Sequence, residues 1–453
     1  MAYLGLWMFM GAIFLLILGY PVAFSLGGTA VLFTLIGSDA LPMLGLELPW
    51  DPVFPLARIG ILPNRIFNIM ENYTLVAVPF FVFMGVMLEK SGLAEELLET
   101  MGMLFGSLRG GLAISVVAVG ALLAASTGVV GASVVTMGVL ALPVMLKYKY
   151  SKGLATGVIA SSGTLGQIIP PSIVLVILGD TIGVSVGALF LGAFIPGFML
   201  AGLFMLWVVF VAVTRPEEAP ALPPEARTLR GSALALKVLK GLIPPVGLML
   251  IVLGSIFLGV ATPTEAGAMG AVGATLLALL NRRLNLRNLR DVLDHTVKLT
   301  SMVFIILVGA TAFGMVFSAL RGPQVVDAFL LTLPGGELGF IFFTMLVIFI
   351  LGFFIDFIEI TFIVVPVIAP IAIGSFGLDP IWFAVLIAMN LQASFITPPF
   401  GFALVYLKGV APKGVKTTDI YKGIVPFVCI QLFALLLLVL FPQIATWLPS
   451  LAR

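Results

Sequence analysis

Two acidic residues, Asp356 and Glu359, stand inside the apolar segment GFFIDFIEIT (Gly352 to Thr361), and no other acid lies so deep in a hydrophobic run. Charge is costly in a bilayer, so its presence there reads as functional by default. A proton relay, a Na⁺ ligand and a structural hydrogen-bond network all fit the pair, whose i,i+3 spacing puts them on one face only where the tip is helical. Two double prolines, Pro170-Pro171 and Pro398-Pro399, interrupt other apolar stretches. They remove amide donors that a helix would use, which frees the carbonyls of Gly166, Gln167, Ser394 and Phe395. Ser161, Ser162, Gly163, Thr164 and Ser172 surround the first break; Asn390, Gln392, Ser394 and Thr397 surround the second. A further interruption, AASTGVVGAS (Ala124 to Ser133), supplies Ser126, Thr127, Gly128 and Ser133, and the acidic segment adds Thr361. Hard oxygen ligands at broken helices suit Na⁺, and exposed helix N-termini suit a carboxylate. The expected chemistry is an ion and anion site at mid-membrane depth. The plainer alternative, prolines that only kink two helices whose hydroxyls repair the backbone, is weakened because the breaks recur in matched places.

The elements that must hold these residues are membrane spans. Of 453 residues 61% are hydrophobic and 10% charged, and the mean hydropathy is +1.22, which excludes a soluble domain. Runs such as FALLLLVLF (Phe433 to Phe441) do not alternate as barrel strands would. Net charge is +2, with no basic face for nucleic acid; the bilayer is the expected partner. One cysteine, Cys429, and one histidine, His295, permit neither a disulfide framework nor a Cys/His metal cluster. Cys429 reads as a small core residue and His295 as part of a solvated or interfacial face.

Ten spans are expected, near 4–20, 21–37, 73–90, 153–179, 186–213, 242–258, 264–280, 301–320, 381–407 and 423–447, with two interrupted segments at 110–146 and 339–372. A shift of 228 residues lays Ser126–Ser133 over Phe354–Thr361, the break at Gln167–Pro171 over Phe395–Pro399, and the span from Tyr73 over that from Ser301. Two halves of like layout, 1–214 and 237–453, follow, joined by the Pro-rich, charged linker beginning TRPEEAPALPPEARTLR (Thr214 to Arg230) and covering 215–236. Stretches Pro63–Thr74 and Asn285–Thr300 read as interfacial arms on opposite faces. Glu265, in TPTEAGAMG, reads as a helix cap near the interface.

If each interrupted segment returns to the side it entered from, each half crosses five times and the repeats are inverted. Then 19 of 23 basic residues, including the clusters around Lys149, Arg230, Arg287 and Lys413, fall on one side, leaving Arg58, Arg65, Arg321 and Arg453 on the other. The positive-inside rule makes the first side cytoplasmic and both termini periplasmic. The arms of each segment, about 11 to 16 residues, are shorter than the roughly 20 a crossing needs, which favours re-entrant hairpins over two spans.

At these residues the chain resembles the large permease subunit of TRAP (tripartite ATP-independent periplasmic) transporters, DctM-like members of the ion transporter superfamily. The resemblance rests on VPFFVFMGVMLEKSG (Val78 to Gly92), STGVVGASVVTMG (Ser126 to Gly138), ASSGTLGQIIPPS (Ala160 to Ser172), TPTEAGAMG (Thr262 to Gly270), GFFIDFIEITFIVVPVIAP (Gly352 to Pro370) and NLQASFITPPFG (Asn390 to Gly401). It implies an all-α polytopic inner-membrane protein with a scaffold and an elevator-type transport domain carrying both hairpins and both broken helices. It also implies Na⁺-coupled uptake of an organic anion without ATP or other cofactor, a small four-helix membrane subunit, and a periplasmic substrate-binding protein. The chain ends at Arg453 without an added helical module, so a separate small subunit is expected. Carried over, Na⁺ sits around Ser126, Thr127, Gly128 and Ser133 with Ser162, Gly163 and Thr164, and around Asp356, Glu359 and Thr361 with Ser394 and Thr397. Substrate falls to Ser161, Gln167, Pro170, Asn390, Gln392 and Pro398. A stand-alone carrier of the same superfamily would share the fold and lack the partners. An intramembrane aspartyl protease needs two facing aspartates, and only Asp356 is available; an ATP-driven pump needs a GxxxxGK[ST] loop, which is missing.

The charge split generates a topology test. On a Cys429-free background, single cysteines at Arg58 and Arg321 should label from outside, and at Lys149, Arg287 and Lys413 from inside. Labelling of Lys149 and Arg109 positions from opposite faces would sink the hairpin topology.

Overall fold

The computed structural model describes residues 3–45, 51–127, 130–226 and 231–452. These are helical nearly throughout; among them the one isolated β-bridge joins Ser38 and Phe54. Among the described residues six helices are long and apolar enough to cross a membrane, or up to eight when bent pairs are counted as single spans. One of the six, Val130–Lys147, is the second arm of the interrupted segment 110–146, whose arms run to 17 and 18 residues rather than the 11 to 16 read from the sequence. The other expected spans appear as helices of 10–17 residues, such as Leu4–Ile17 and Val22–Gly37, because Gly19 and Pro21 stop the first helix short of its apolar run. The span expected at 301–320 continues an unbroken helix, Leu286–Ala319. The stretch read as an interfacial arm is thus its first half, and 34 residues at ~1.5 Å each make it about 51 Å long. A helix absent from the sequence reading, Leu93–Phe105, follows Ala77–Lys90 across a 63° bend. Glu95, Glu96 and Glu99 interrupt its apolar run, which hid it from a search for spans.

Two compact units cut across the sequence halves: residues 1–75 with 300–380, and residues 76–299 with 381–453. In the first, Gly5 of Leu4–Ile17 lies so near Gly322 that an added Cβ would be 2.7 Å from its Cα. The Phe9 ring meets Phe313 and Phe317 at 6.2 and 6.1 Å. Gly309 similarly meets the carbonyl of Ala23. Small residues let helix backbones approach where lipid supplies no hydrophobic drive for association.

The second unit uses the same device more heavily. Gly267 and Gly270 of Pro263–Leu280 receive Phe80 and Met84 of Ala77–Lys90. Lys152–Thr164 crosses Thr417–Leu440 through Gly153, Gly157 and Gly423, where a Cβ on Gly423 would stand 2.0 Å from the carbonyl of Gly153. The linker is tied to this unit: Ser151 N–H donates to Glu218 O (3.0 Å), Gly110 N–H to Ala219 O (2.8 Å) and Leu222 N–H to Gly106 O (2.8 Å). Beside it Tyr150 accepts from Leu112 N–H at 3.3 Å, and burial pushes its phenol up to about 12. Cys429, expected in the core, is exposed on Thr417–Leu440. The buried face of that helix carries Ile420, Gly423, Phe427, Gln431 and Ala434, and Cys429 lies off it.

The glycine crossing predicts that Gly423→Ala lowers the thermal unfolding midpoint by the equivalent of about 1–3 kcal/mol of overpacking. Gly202→Ala, with open space around its Cβ position, should leave it unchanged.

Candidate functional site

Within the second unit the two proline breaks repair themselves locally. After Lys152–Thr164 one 3₁₀ turn, Leu165–Gln167, leads to Pro170-Pro171 and then to the helix Ile173–Ile182. Ser172 Oγ donates to Gln167 O at 2.7 Å. The second break follows Pro380–Phe395: Thr397 N–H donates to Ser394 O at 3.1 Å, and Phe402–Val410 resumes beyond Pro398-Pro399. Tyr421, which sequence reasoning passed over, donates its hydroxyl to Pro399 O at 2.6 Å. Of the four carbonyls expected to be free, those of Gln167 and Ser394 are therefore occupied by donors a few residues downstream. Both Pro-Pro peptides are cis.

What the breaks hold between them is a buried polar cluster. Ser161, Ser162, Thr164, Gln167, Ser172, Asn390, Gln392 and Ser394 are all at most 1% exposed. The hydroxyls of Ser161, Ser162 and Ser394 donate to Gly157 O (2.6 Å), Val158 O (2.6 Å) and Leu391 O (2.7 Å), and that of Thr164 to Ser161 O (2.8 Å). Half-buried Thr397 does the same to Ala393 O at 2.7 Å. Each proton is thereby spent on the helix backbone, and the oxygen's remaining capacity is for accepting, as a hard-cation ligand requires.

Gln392 Nε2 reaches Thr164 Oγ1 at 3.5 Å. These two residues are 228 apart, the repeat offset, so equivalent positions of the two halves meet here. Gln392 Oε1 and both side-chain polar atoms of Gln167 have no hydrogen-bond partner among the described residues. An unmet amide in a dry interior costs about 1–3 kcal/mol, and three such atoms beside one polar cluster suit a bound polar group.

The first interrupted segment joins this cluster. Its arms, Gly111–Thr127 and Val130–Lys147, both pack on Lys152–Thr164, where a Cβ on Gly163 would meet Val134 at 2.5 Å and one on Gly120 would meet Ser162 at 2.6 Å. Ser133, on the second arm, is buried. Gly128 and the side chains of Ser126 and Thr127 lie outside the described residues. Pro170 is buried and Pro398 half-buried at their breaks.

Asp356, Glu359 and Thr361 belong to the first unit. Asp356 is the N-cap of Phe357–Ile363: its Oδ1 accepts from Phe357 N–H at 2.6 Å, while Glu359 Oε2 accepts from Asp356 N–H at 3.1 Å. This is a capping box, the most local of the three roles open from the sequence. Thr361 donates to Phe357 O at 2.7 Å. Glu265 caps Pro263–Leu280, as its sequence context suggested, by accepting from Thr262 N–H at 2.8 Å.

Apolar spans around a buried, uncharged polar cluster are the layout of a polytopic membrane protein. The chain belongs to the family described as tripartite ATP-independent periplasmic transporter, DctM component, whose profile matches residues 9–444. It is 32% identical to the C4-dicarboxylate TRAP transporter large permease protein DctM of Vibrio cholerae, across 98% of this chain and 97% of that one. The sialic acid TRAP transporter large permease protein SiaM of the same organism is 30% identical across 96% of each. Among solved structures the YdaH transporter of Alcanivorax borkumensis matches with TM-score 0.64, covering 92% of this chain and 98% of its own at 14% identity, a likeness of fold alone. The protein is thus a TRAP transporter large permease, multi-pass in the inner membrane.

The cap geometry predicts a split between two substitutions. Asp356→Ala should lower stability by about 1 kcal/mol, whereas Asp356→Asn, which still caps, should melt near the wild type. Equal melting of all three proteins would remove the capping role.

Proposed function

We propose that the chain is the permease of a Na⁺-coupled uptake system for an organic anion bearing a carboxylate. A periplasmic substrate-binding protein delivers the anion, and a separate small four-helix membrane subunit assembles with the permease. The observation that carries this reading is three unmet amide atoms, both of Gln167 and Oε1 of Gln392, fully buried at and near the contact of the two repeats. They supply neutral donors and acceptors for a polar substrate in a place where a fixed positive charge would be costly. The permease names of the similar proteins, for C4-dicarboxylates and for sialic acid, share the carboxylate.

The coupling ion fits the same cluster. Hydroxyl oxygens of Ser162 and Thr164 have spent their protons on carbonyls and retain lone pairs for Na⁺, with Ser133 on the adjoining hairpin arm. Asp356, Glu359 and Thr361 in the first unit are a second candidate ion group, in which one carboxylate both caps its helix and neutralises the cation, and Ser394 and Thr397 in the second unit offer further hydroxyl oxygens of the spent kind. A bound cation favours the conformation that holds it best, so its gradient can drive the exchange of accessible states without nucleotide. In this reading the hairpins and broken helices move as an elevator against the remaining spans, and both termini face the periplasm.

Uptake in proteoliposomes should need the small subunit, the loaded binding protein and an inward Na⁺ gradient. Undiminished uptake with Na⁺ absent on both sides would eliminate sodium coupling, and uptake without the small subunit would indicate a stand-alone carrier. Asp356→Asn, which keeps the cap and deletes the charge, should raise the Na⁺ concentration for half-maximal transport about a hundredfold, the worth of roughly 3 kcal/mol of lost charge pairing. Glu265→Gln should not move it.

A further inference from the structure

The two proline breaks occupy equivalent places in the repeat, yet a different residue closes each. At the first, Ser172, directly after Pro171, returns its hydroxyl to Gln167 O at 2.7 Å. The 228-residue offset makes Phe400 its counterpart, which carries no hydroxyl. At the second break the hydroxyl comes instead from Tyr421 of Thr417–Leu440, which donates to Pro399 O at 2.6 Å. The counterpart of Tyr421 in the first half is Ala193, whose methyl group donates nothing. The first break is thus closed from within its own segment and the second from a neighbouring helix. Burial differs in the same sense: residues 165–172 are buried throughout, whereas Thr397 and Pro398 are half-buried and Pro399 and Phe400 exposed.

Tyr421 is held in place by more than its own bond. At the far end of its helix Leu438 O accepts from Trp382 Nε1 at 2.7 Å, and Trp382 lies in the first turn of Pro380–Phe395. Tyr421 and Leu438 stand 17 residues apart, as do Trp382 and Pro399, so the two segments run antiparallel and in register between the two bonds. Two residues beyond Tyr421, Gly423 meets Gly153 and Gly157 of Lys152–Thr164, the helix that leads into the first break. Within the second break the chain turns tightly: a Cβ on Gly401, at φ 32°, would stand 3.0 Å from Thr397 O. In so short a turn the direction of the Pro399 carbonyl governs that of the Thr397 peptide, because the proline rings leave few dihedrals to absorb a change.

We propose that Tyr421 is a positioning residue for ion binding. Its hydroxyl holds the second break in the conformation that presents the oxygens of Ser394 and Thr397, their protons spent on Leu391 O and Ala393 O, together to Na⁺. The inference rests on the reading of those two residues as ion ligands and adds one that never touches the ion. Because Pro399 is exposed, water takes over its carbonyl when the hydroxyl is removed, at little cost in stability. The orientation that the hydroxyl enforces is what water does not supply.

The test uses Na⁺ itself as the probe. The purified permease is titrated with NaCl, choline chloride holding ionic strength constant, and the dissociation constant is fitted from the rise of the unfolding midpoint with bound ion. Tyr421→Phe keeps the ring and deletes the hydroxyl. Its midpoint in choline chloride should equal that of the wild type, while its Na⁺ dissociation constant should be about tenfold higher, the worth of one hydrogen bond. Titration with LiCl adds a readout of geometry: a shell held at one size discriminates between ions, so the ratio of Li⁺ to Na⁺ constants should move toward one in Tyr421→Phe. Thr397→Ala removes the group through which Tyr421 acts, and Tyr421→Phe added to it should raise the constant no further. A wild type whose midpoint ignores Na⁺ removes the ion reading of the proposed function and this inference with it. A wild type that responds, beside a Tyr421→Phe protein with the same constant, overturns the role of Tyr421 alone and leaves sodium coupling standing. A midpoint lowered in choline chloride with the constant unchanged marks the bond as structural and overturns the proposal, as do additive effects of Tyr421→Phe and Thr397→Ala.

Discussion

Backbone groups that leave a helix within hydrocarbon must find partners inside the protein, since no water is present to take them. Two consecutive prolines make this demand acute by deleting the donors that the preceding carbonyls would use. At the first break Ser172 turns its hydroxyl back to Gln167 O, and at the second Thr397 N–H returns to Ser394 O while Tyr421 reaches in from another helix. The remaining architecture of that unit follows. Glycine crossings bring spans together around the first break, which is buried throughout, and two antiparallel helices pack against the first broken helix.

The hydroxyl chemistry shows how a membrane protein buries oxygen acceptors without fixed charge. Serine and threonine in an apolar helix spend their protons on carbonyls of the preceding turn, which makes them inexpensive to bury. The same bonds leave oxygen lone pairs facing outward from the helix. A set of such residues at a break is neutral in the absence of a cation and coordinating in its presence. Carboxylates appear instead at Asp356 and Glu359, where a capping box ties each to a backbone amide.

Much of this was legible in the sequence because the governing signals are local and strong. Apolar runs near twenty residues located five of the six helices long enough to cross, all but Val130–Lys147, and the doubled prolines located the breaks and the polar residues around them. The capping role of Glu265 was readable from the TPTE motif, since the box needs only neighbours three residues apart. Tertiary matters were hidden. Leu93–Phe105 was lost because three glutamates masked its helical face, and the arm at Asn285–Thr300 was separated from its span by charge although the helix runs through. Cys429 was assigned to the core on residue type, when only the direction of its helix face decides. Tyr421 gave no signal of its own, because the carbonyl it holds, Pro399 O, lies 22 residues away on another segment.

The contact between Thr164 and Gln392 also bears on how such a chain could arise. Where a residue meets its own counterpart, an ancestral pair of identical subunits would have placed two copies of the same side chain face to face. In that homodimer any substitution arrives twice, so glutamine on one side and phenylalanine on the other are unattainable. Joining the copies through a linker, here bound to Gly106, Gly110 and Ser151, frees each half to change alone. Divergence at the junction, threonine against glutamine, is the first freedom that covalent fusion grants, and a binding site with a distinguishable head and tail is what that freedom makes accessible to selection.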